Sequence, residues 1–227
     1  KGIMVISAHW LTKGTSVTCM EHPKTIHDFY GFPDQLYTIN YPSPGFPEEA
    51  RFVTEIVRKA PVGLDHDWGL DHGAWAVLRH LYPSAEIPVF QLSLDYSVHE
   101  RDPKPLQYHY DLAAELAELR ERGILIIGSG NIVHNLSLID FWNIEAVPFE
   151  WAVEFDEWVK SNLLDRNHQD LLRLDTMGKS ASLAVPTLDH YLPMVYVIAL
   201  RAQDDPLTFV HEGFQNKSIS MRGFQIG

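Results

Sequence analysis

Ile124-Leu125-Ile126-Ile127-Gly128-Ser129-Gly130-Asn131-Ile132-Val133-His134 is the stretch on which the fold turns. Its first four residues show none of the alternation of a strand with one wet face. They predict a strand buried on both sides, as in a parallel sheet covered by helices. Gly128-Ser129-Gly130 follows at once, a turn whose backbone can approach another group closely, and a histidine closes the segment. The stretch Gly2-Ile3-Met4-Val5-Ile6-Ser7-Ala8-His9-Trp10 repeats the design: an apolar run, then small and polar residues, then a histidine. In parallel sheets, ligand sites lie beyond the carboxyl ends of the strands, so both histidines stand where chemistry is expected.

Outward from these strands, Phe52, Val53, Ile56, Val57 and Ala60 recur at helical spacing and predict a helix over 48–60. A second helix is predicted over 73–81, stopping before Pro83, and a buried strand over 87–95. His109, Leu112, Leu116 and Leu119 form one stripe of a helix that Gly123 ends. Helices over 150–164 and 188–202 and strand-like segments over 206–211 and 217–224 complete the chain. Residues 22–47, rich in proline, glycine and aromatics, read as a long ordered loop, and such loops in compact domains usually carry function. Alternating strands and helices predict an α/β sandwich around a mostly parallel central sheet with helices on both faces. At 227 residues, one domain spanning 1–227 is expected.

Eighteen basic against thirty acidic residues give a net charge of −12, which repels phosphate backbones and anionic membranes. The single Cys19 excludes an intrachain disulfide framework and a Cys-rich zinc site, and fits a reducing cytosol. No apolar stretch approaches the roughly 18–20 residues that span a bilayer, and no signal peptide is visible. A cytoplasmic monomer or small homo-oligomer is expected. The chain opens Lys1-Gly2 without an initiator Met and is expected to begin inside the protein.

Twelve histidines outnumber both Phe (11) and Tyr (9). With almost no cysteine, that surplus points to a nitrogen-rich site if a metal is held at all. His9 and His134 end their strands as described. His72, in Gly69-Leu70-Asp71-His72-Gly73-Ala74-Trp75, opens a helix that Asp71 can cap, and a helix N-terminus favours the neutral imidazole. His190 stands in Asp189-His190-Tyr191-Leu192-Pro193, and His27, in the long loop, can face a substrate. Each has a plainer reading too, as a core histidine bonded to a backbone carbonyl or a residue near a helix start. His22, His66, His80, His99, His109, His168 and His211 have no comparable context and are expected to be structural or exposed. No H-E-x-x-H or H-x-H unites them, so spacing alone defines only a candidate multi-histidine site.

Six blocks take the reading further: Ser7-Ala8-His9-Trp10; Thr25-Ile26-His27-Asp28-Phe29 with Gly31-Phe32-Pro33; Tyr41-Pro42-Ser43-Pro44-Gly45; Gly69 to Trp75; Ser129 to Asn135; and His190-Tyr191-Leu192-Pro193. In this order, and with the closing Ser218-Ile219-Ser220-Met221, the chain resembles the DODA-type extradiol aromatic ring-opening dioxygenases, of the class III or LigB-like kind. The resemblance implies an α/β fold and a non-haem metal on histidines, Fe(II) for activity and Zn(II) as a plausible bound ion. It implies a catechol-type substrate, DOPA-like or another catechol, together with O2. It makes His9 and His190 metal ligands, His134 a ligand or acid/base residue and His72 a second proton-handling residue, with His27 and Trp10 at the substrate. The family carries a further ligand histidine in an H-G-(S/A)-P motif upstream of the Ser-Ala-His-Trp strand. That motif is absent here and is expected before Lys1. Two rival readings are a zinc-dependent hydrolase, although no Glu stands inside the histidine motifs, and a non-enzymatic binding protein on the same fold.

Overall fold

The apolar run at the start becomes β1 (Gly2–Thr12), whose first seven residues are buried. It is an inner strand of a five-stranded sheet in the computed structural model, which describes residues 1–227. The chain divides into two compact units, Lys1–Ser129 and Gly130–Gly227. In the first unit β1 is followed by β2 (Thr15–Thr18), α1 (Asp34–Tyr37), α2 (Pro47–Ile56), β3 (Val62–Asp65) and α3 (His72–Leu81). Then come β4 (Val89–Asp95), α4 (Val98–Arg101), α5 (Pro105–Ala114), α6 (Glu118–Glu121) and β5 (Ile124–Ser129).

The strand order is β3-β2-β4-β1-β5. The pairs β1–β4, β1–β5 and β2–β3 are parallel and only β2–β4 is antiparallel, so the sheet is mostly parallel, as the apolar runs predict. Register positions the chemistry. β1 pairs with β5 from Gly2↔Ile124 to Ser7↔Ser129, and with β4 from Ile3↔Val89 to Ile6↔Leu92, resuming at Leu11↔Leu94. His9 therefore lies beyond the last β5 partner and inside an irregularity of the β4 ladder. Such bulges re-aim side chains at sheet ends. α3 packs on β1 and β5. Leu70, Trp75 and Leu78 on one side and Ile3, Val5 and Val89 on the other form a shared apolar core. Each large side chain so buried stabilises by roughly 1.5–3 kcal/mol.

The second unit holds α7 (Glu150–Leu164), α8 (His168–Leu171), α9 (Gly178–Ala184) and α10 (Leu192–Ala199), then β6 (Leu207–His211), β7 (Phe214–Gln215), β8 (Ile219–Ser220) and β9 (Gly223–Ile226). β6 pairs antiparallel with β9, and β7 with β8. Phe155, Val159 and Leu163 of α7 are fully buried, as are Tyr191, Val195 and Tyr196. A charged pair is buried with them. Arg222, its side chain 3% exposed, pairs with Asp156 at 1%, and with Glu157 and Glu212. Ser220 Oγ donates to Asp156 Oδ1 at 2.6 Å. No helix of the chain is long and apolar enough to cross a membrane.

Several boundaries differ from the sequence reading. The helix expected over 48–60 stops at Ile56, and the stripe from His109 to Leu119 spans two helices and the turn between them rather than one helix. Glu115 links both breaks: its carboxylate takes the backbone N–H of Arg58 (2.6 Å) and Lys59 (2.9 Å), while i→i+3 bonds tighten the backbone from Leu112 to Leu119. The helix expected over 188–202 begins only at Leu192, because Pro193 is tolerated in a first turn and not in an interior. β5 is an edge strand with Leu125 44% exposed, so its apolar run does not mark full burial. β2 and β3, four residues each, are too short for periodicity to reveal.

Candidate active site

The first unit brings His9 and His72 together, with ring centroids 3.9 Å apart and planes tilted by 40°. The approach depends on Gly73: a Cβ there would lie 2.4 Å from Ser7 Oγ and 3.0 Å from His9 Cδ2. Asp71 caps α3, accepting from Ala74 N at 3.1 Å, as its position before the helix predicts. It also accepts from Ser7 Oγ and Gln91 Nε2, each at 2.8 Å, and Ser7 Oγ accepts from the backbone N–H of His9 at 3.2 Å. Burial raises the Asp71 carboxyl above the usual carboxylate range, outweighing the hydrogen bonds from Gln91 and Ser7. One buried carboxylate thus ties the end of β1 to the start of α3.

His72 is gripped from the long loop. Asp28 Oδ2 lies 2.8 Å from His72 Nδ1, and Asp28 Oδ1 accepts the His72 backbone N–H, also at 2.8 Å. Burial pushes the Asp28 carboxyl up, but the bonds from His72 outweigh it and leave the carboxyl below its usual range. The Phe29 ring meets His72 edge-on at 5.4 Å and adjoins Tyr37 (5.0 Å) and Trp75 (6.2 Å). His27 sits in the same aromatic cluster, 5.7 Å from Trp75, with Nε2 3.0 Å from the Ile39 carbonyl oxygen. Trp10 is 2% exposed and stacks on Trp68 at 5.7 Å.

Ligating atoms of His9, Asp28 and His72 lie within 4.8 Å of one another. Two imidazoles and a carboxylate suit a first-row divalent ion such as Fe(II) or Zn(II), so the donor types fit a non-haem metal. The Asp28 bond to Nδ1 also sorts the roles. While it is kept, Asp28 stands behind the ring and His72 turns only Nε2 outward, the arrangement in which a carboxylate orients a working imidazole.

The second unit brings His134 and His190 together, stacked at 3.5 Å with planes 4° apart. Asp189 Oδ2 lies 2.6 Å from His190 Nδ1, so this imidazole too has a carboxylate behind it. Burial raises the Asp189 carboxyl, but bonds from His190 and Thr187 outweigh that and bring it down to about 2. Burial, and then the neighbouring His190, lower His134 to about 4, so it is neutral at pH 7. The Gly128-Ser129-Gly130 turn serves this pair. Asn131 N donates to the His190 carbonyl at 3.0 Å, and a Cβ on Gly130 would lie 2.3 Å from that oxygen. The close approach expected toward a ligand is made to the His190 backbone. Asn135, beside His134, is engaged in structure, capping the turn at Leu136–Leu138 and donating to the Leu183 carbonyl at 2.8 Å.

Asp28 and Asp189 lie outside the sequence-predicted site, though each adjoins a histidine within it; that adjacency is the available signal. Of the seven histidines set aside, His22, His66, His80, His99 and His211 are exposed, His168 is half-buried and His109 is fully buried.

Residues 1–225 match the model of the family described as the catalytic LigB subunit of aromatic ring-opening dioxygenase. The chain is 44% identical over 232 residues to a 4,5-DOPA dioxygenase extradiol of Escherichia coli strain K12, covering 100% of this chain and 82% of that one. It is 32% identical over 228 residues to the 4,5-DOPA dioxygenase extradiol of Beta vulgaris, covering 99% and 82%. The crystal structure of an uncharacterized protein from Escherichia coli K12 superposes with a TM-score of 0.83 at 39% identity, covering 100% of this chain and 86% of that one.

Proposed function

The chain belongs to the LigB family of aromatic ring-opening dioxygenases and is an extradiol ring-cleaving enzyme, and on that footing we propose its substrate, its ion and the roles of its residues. The substrate is a catechol, DOPA or a close analogue, opened with O2. The ion is Fe(II) in the active enzyme, with Zn(II) able to take the same ligands. Residues 1–227 act as one catalytic domain, in a cytoplasmic monomer or small homo-oligomer. The observation that carries the substrate is the 44% identity, over the full chain, to a relative named for DOPA.

His9, His134 and His190 are the proposed ligands on the strength of their motifs, and Asp189 supports the role of His190 by occupying its Nδ1. When bound, the ion acts as a Lewis acid that lowers the pKa of catechol hydroxyls. The chain's own residues do the rest. His72, with Nδ1 held by Asp28, takes the second catechol proton at Nε2 and later returns it. His134, neutral at pH 7, is the alternative acceptor where the ion is left to His9 and His190. Phe29, Tyr37 and Trp75, with His27 among them, offer an aromatic wall beside His72 that orients a flat ring and excludes water. Trp10 contributes through Trp68, on which it stacks.

The test is anaerobic reconstitution with Fe(II), then a catechol panel with oxygen uptake and yellow ring-opened products as readouts. DOPA should be turned over with one O2 per ring. Ester or amide hydrolysis with zinc, and no oxygen uptake on any catechol, would instead support a hydrolase. Metal analysis assigns the ligands: His9→Ala and His190→Ala should lose the ion, while His72→Ala keeps it and turns over slowly.

A further inference from the structure

The loop that carries Asp28 is fastened along its length to the segment leading into α3. Ile26 N donates to the Leu70 carbonyl at 2.7 Å, and Leu70 N to the Lys24 carbonyl at 2.8 Å. Trp75 Nε1 donates to the Ile26 carbonyl at 2.8 Å, and Thr25 pairs with Leu70 in an isolated parallel bridge. Gly69 has φ +119°, and a Cβ there would lie 2.4 Å from the Lys24 carbonyl oxygen, so the two segments run together as closely as backbone permits. From its other side, Thr25 Oγ1 accepts the Tyr41 N–H at 2.9 Å. A carboxylate delivered on such a strap does not swing freely.

Both Asp28 oxygens are spent on one residue. Oδ1 holds the His72 backbone and Oδ2 its Nδ1, so the grip fixes both the main chain and the ring. The next residue, Phe29, sets its ring edge-on to the imidazole at 90°, closing a second side. An anionic oxygen at 2.8 Å accepts a proton and cannot donate one, so Nδ1 carries a hydrogen, and in the neutral ring the lone pair falls to Nε2.

We propose that Asp28 is a positioning residue for ring opening, which locks His72 in the Nδ1–H tautomer and aims Nε2 as the proton acceptor. The consequence for turnover rests on the ring-opening reading above; the tautomer itself does not. Loss of such an orienting carboxylate typically costs 10–100-fold in metal affinity or activity. Here the loss falls on kcat.

The experiment uses the full chain loaded with Zn(II) and labelled with 15N-histidine, in wild-type, Asp28→Ala, Asp28→Asn and His72→Gln forms. The His72→Gln spectrum identifies the His72 signals by their disappearance. Long-range 1H–15N spectra should show wild-type His72 protonated at Nδ1 with a pyridine-type Nε2. Asp28→Ala should shift it toward a mixture of tautomers, and Asp28→Asn, whose amide oxygen still accepts one hydrogen bond, should fall between. In Fe(II)-loaded enzyme with DOPA, Asp28→Ala should lower kcat about 10–100-fold with KM within about twofold, and Asp28→Asn should recover part of that. Wild-type His72 protonated at Nε2, or a tautomer unchanged in Asp28→Ala, overturns the assignment. An unchanged kcat in Asp28→Ala, where wild type is active, also overturns it. If wild type fails to open any catechol, the substrate reading falls, and the tautomer arm still decides the role of Asp28.

Discussion

Gly73→Ala sets two effects of opposite sign against each other. Within a helix, alanine is favoured over glycine by at most about 1 kcal/mol. Against this, the new Cβ would stand 2.4 Å from Ser7 Oγ, about 1 Å inside ordinary contact, and 3.0 Å from His9 Cδ2. Ser7 cannot step aside cheaply: it is fully buried, donates to Asp71 and accepts from the His9 N–H. Overpacking of a tight site costs roughly 1–3 kcal/mol, and breaking the Ser7–Asp71 bond in the core about 1–3 kcal/mol more. The clash wins by about 3 kcal/mol, which for a chain of this length lowers Tm by roughly 6–12 °C. A shift of His9 or His72 near 1 Å can cost about a hundredfold in rate. The assay pairs thermal unfolding of the metal-loaded protein with kcat on DOPA. An Ala variant that melts at or above wild type and keeps full kcat would refute the reasoning.

The second unit makes a parallel demand. Gly130→Ala brings a Cβ to 2.3 Å from the His190 carbonyl oxygen, which is backbone and cannot rotate away; metal content and Tm should both fall, and retention of both would show that the His190 loop gives way. Buried His109 titrates at about 4 instead of 6.5, chiefly through burial, with Asp95, His99, Arg101 and Tyr108 around it. The unfolded chain therefore takes up this proton first, and the histidine's contribution, full above about pH 6.5, is lost as pH falls toward 4. The loss approaches roughly 3 kcal/mol. Urea midpoints measured across that range should slope less in His109→Phe than in wild type; identical slopes would remove His109 as the cause.

What was legible in the sequence was what periodicity and strand-end position can encode. The run at 2–6 and the stretch at 89–95 are buried inner strands, and helix 150–164 has the boundaries its pattern implies. His72 opens α3 behind an Asp71 cap, as Asp71-His72-Gly73 suggests. What was hidden depends on residues far apart in the chain. Glu115 ends a helix near residue 57, and no local window holds both. The partner of His72 lies 44 residues upstream, too far for any local pattern to pair the two. Gly130 was legible as a close approach, while the identity of the approaching group, a carbonyl 60 residues later, was not.

The buried guanidinium of Arg222 has a consequence for the order in which the polypeptide matures. Asp156 lies midway along α7, yet the groups that satisfy its oxygens, Ser220 and Arg222, come 64 and 66 residues later. At roughly 5–20 residues per second, a ribosome delivers them some 3–13 s after Asp156 itself. Until then the inward face of α7 carries a carboxylate that an apolar interior rejects. Docking of that helix must wait, and a nascent chain arrested before position 222 would expose Phe155 and Val159 to proteases and chaperones.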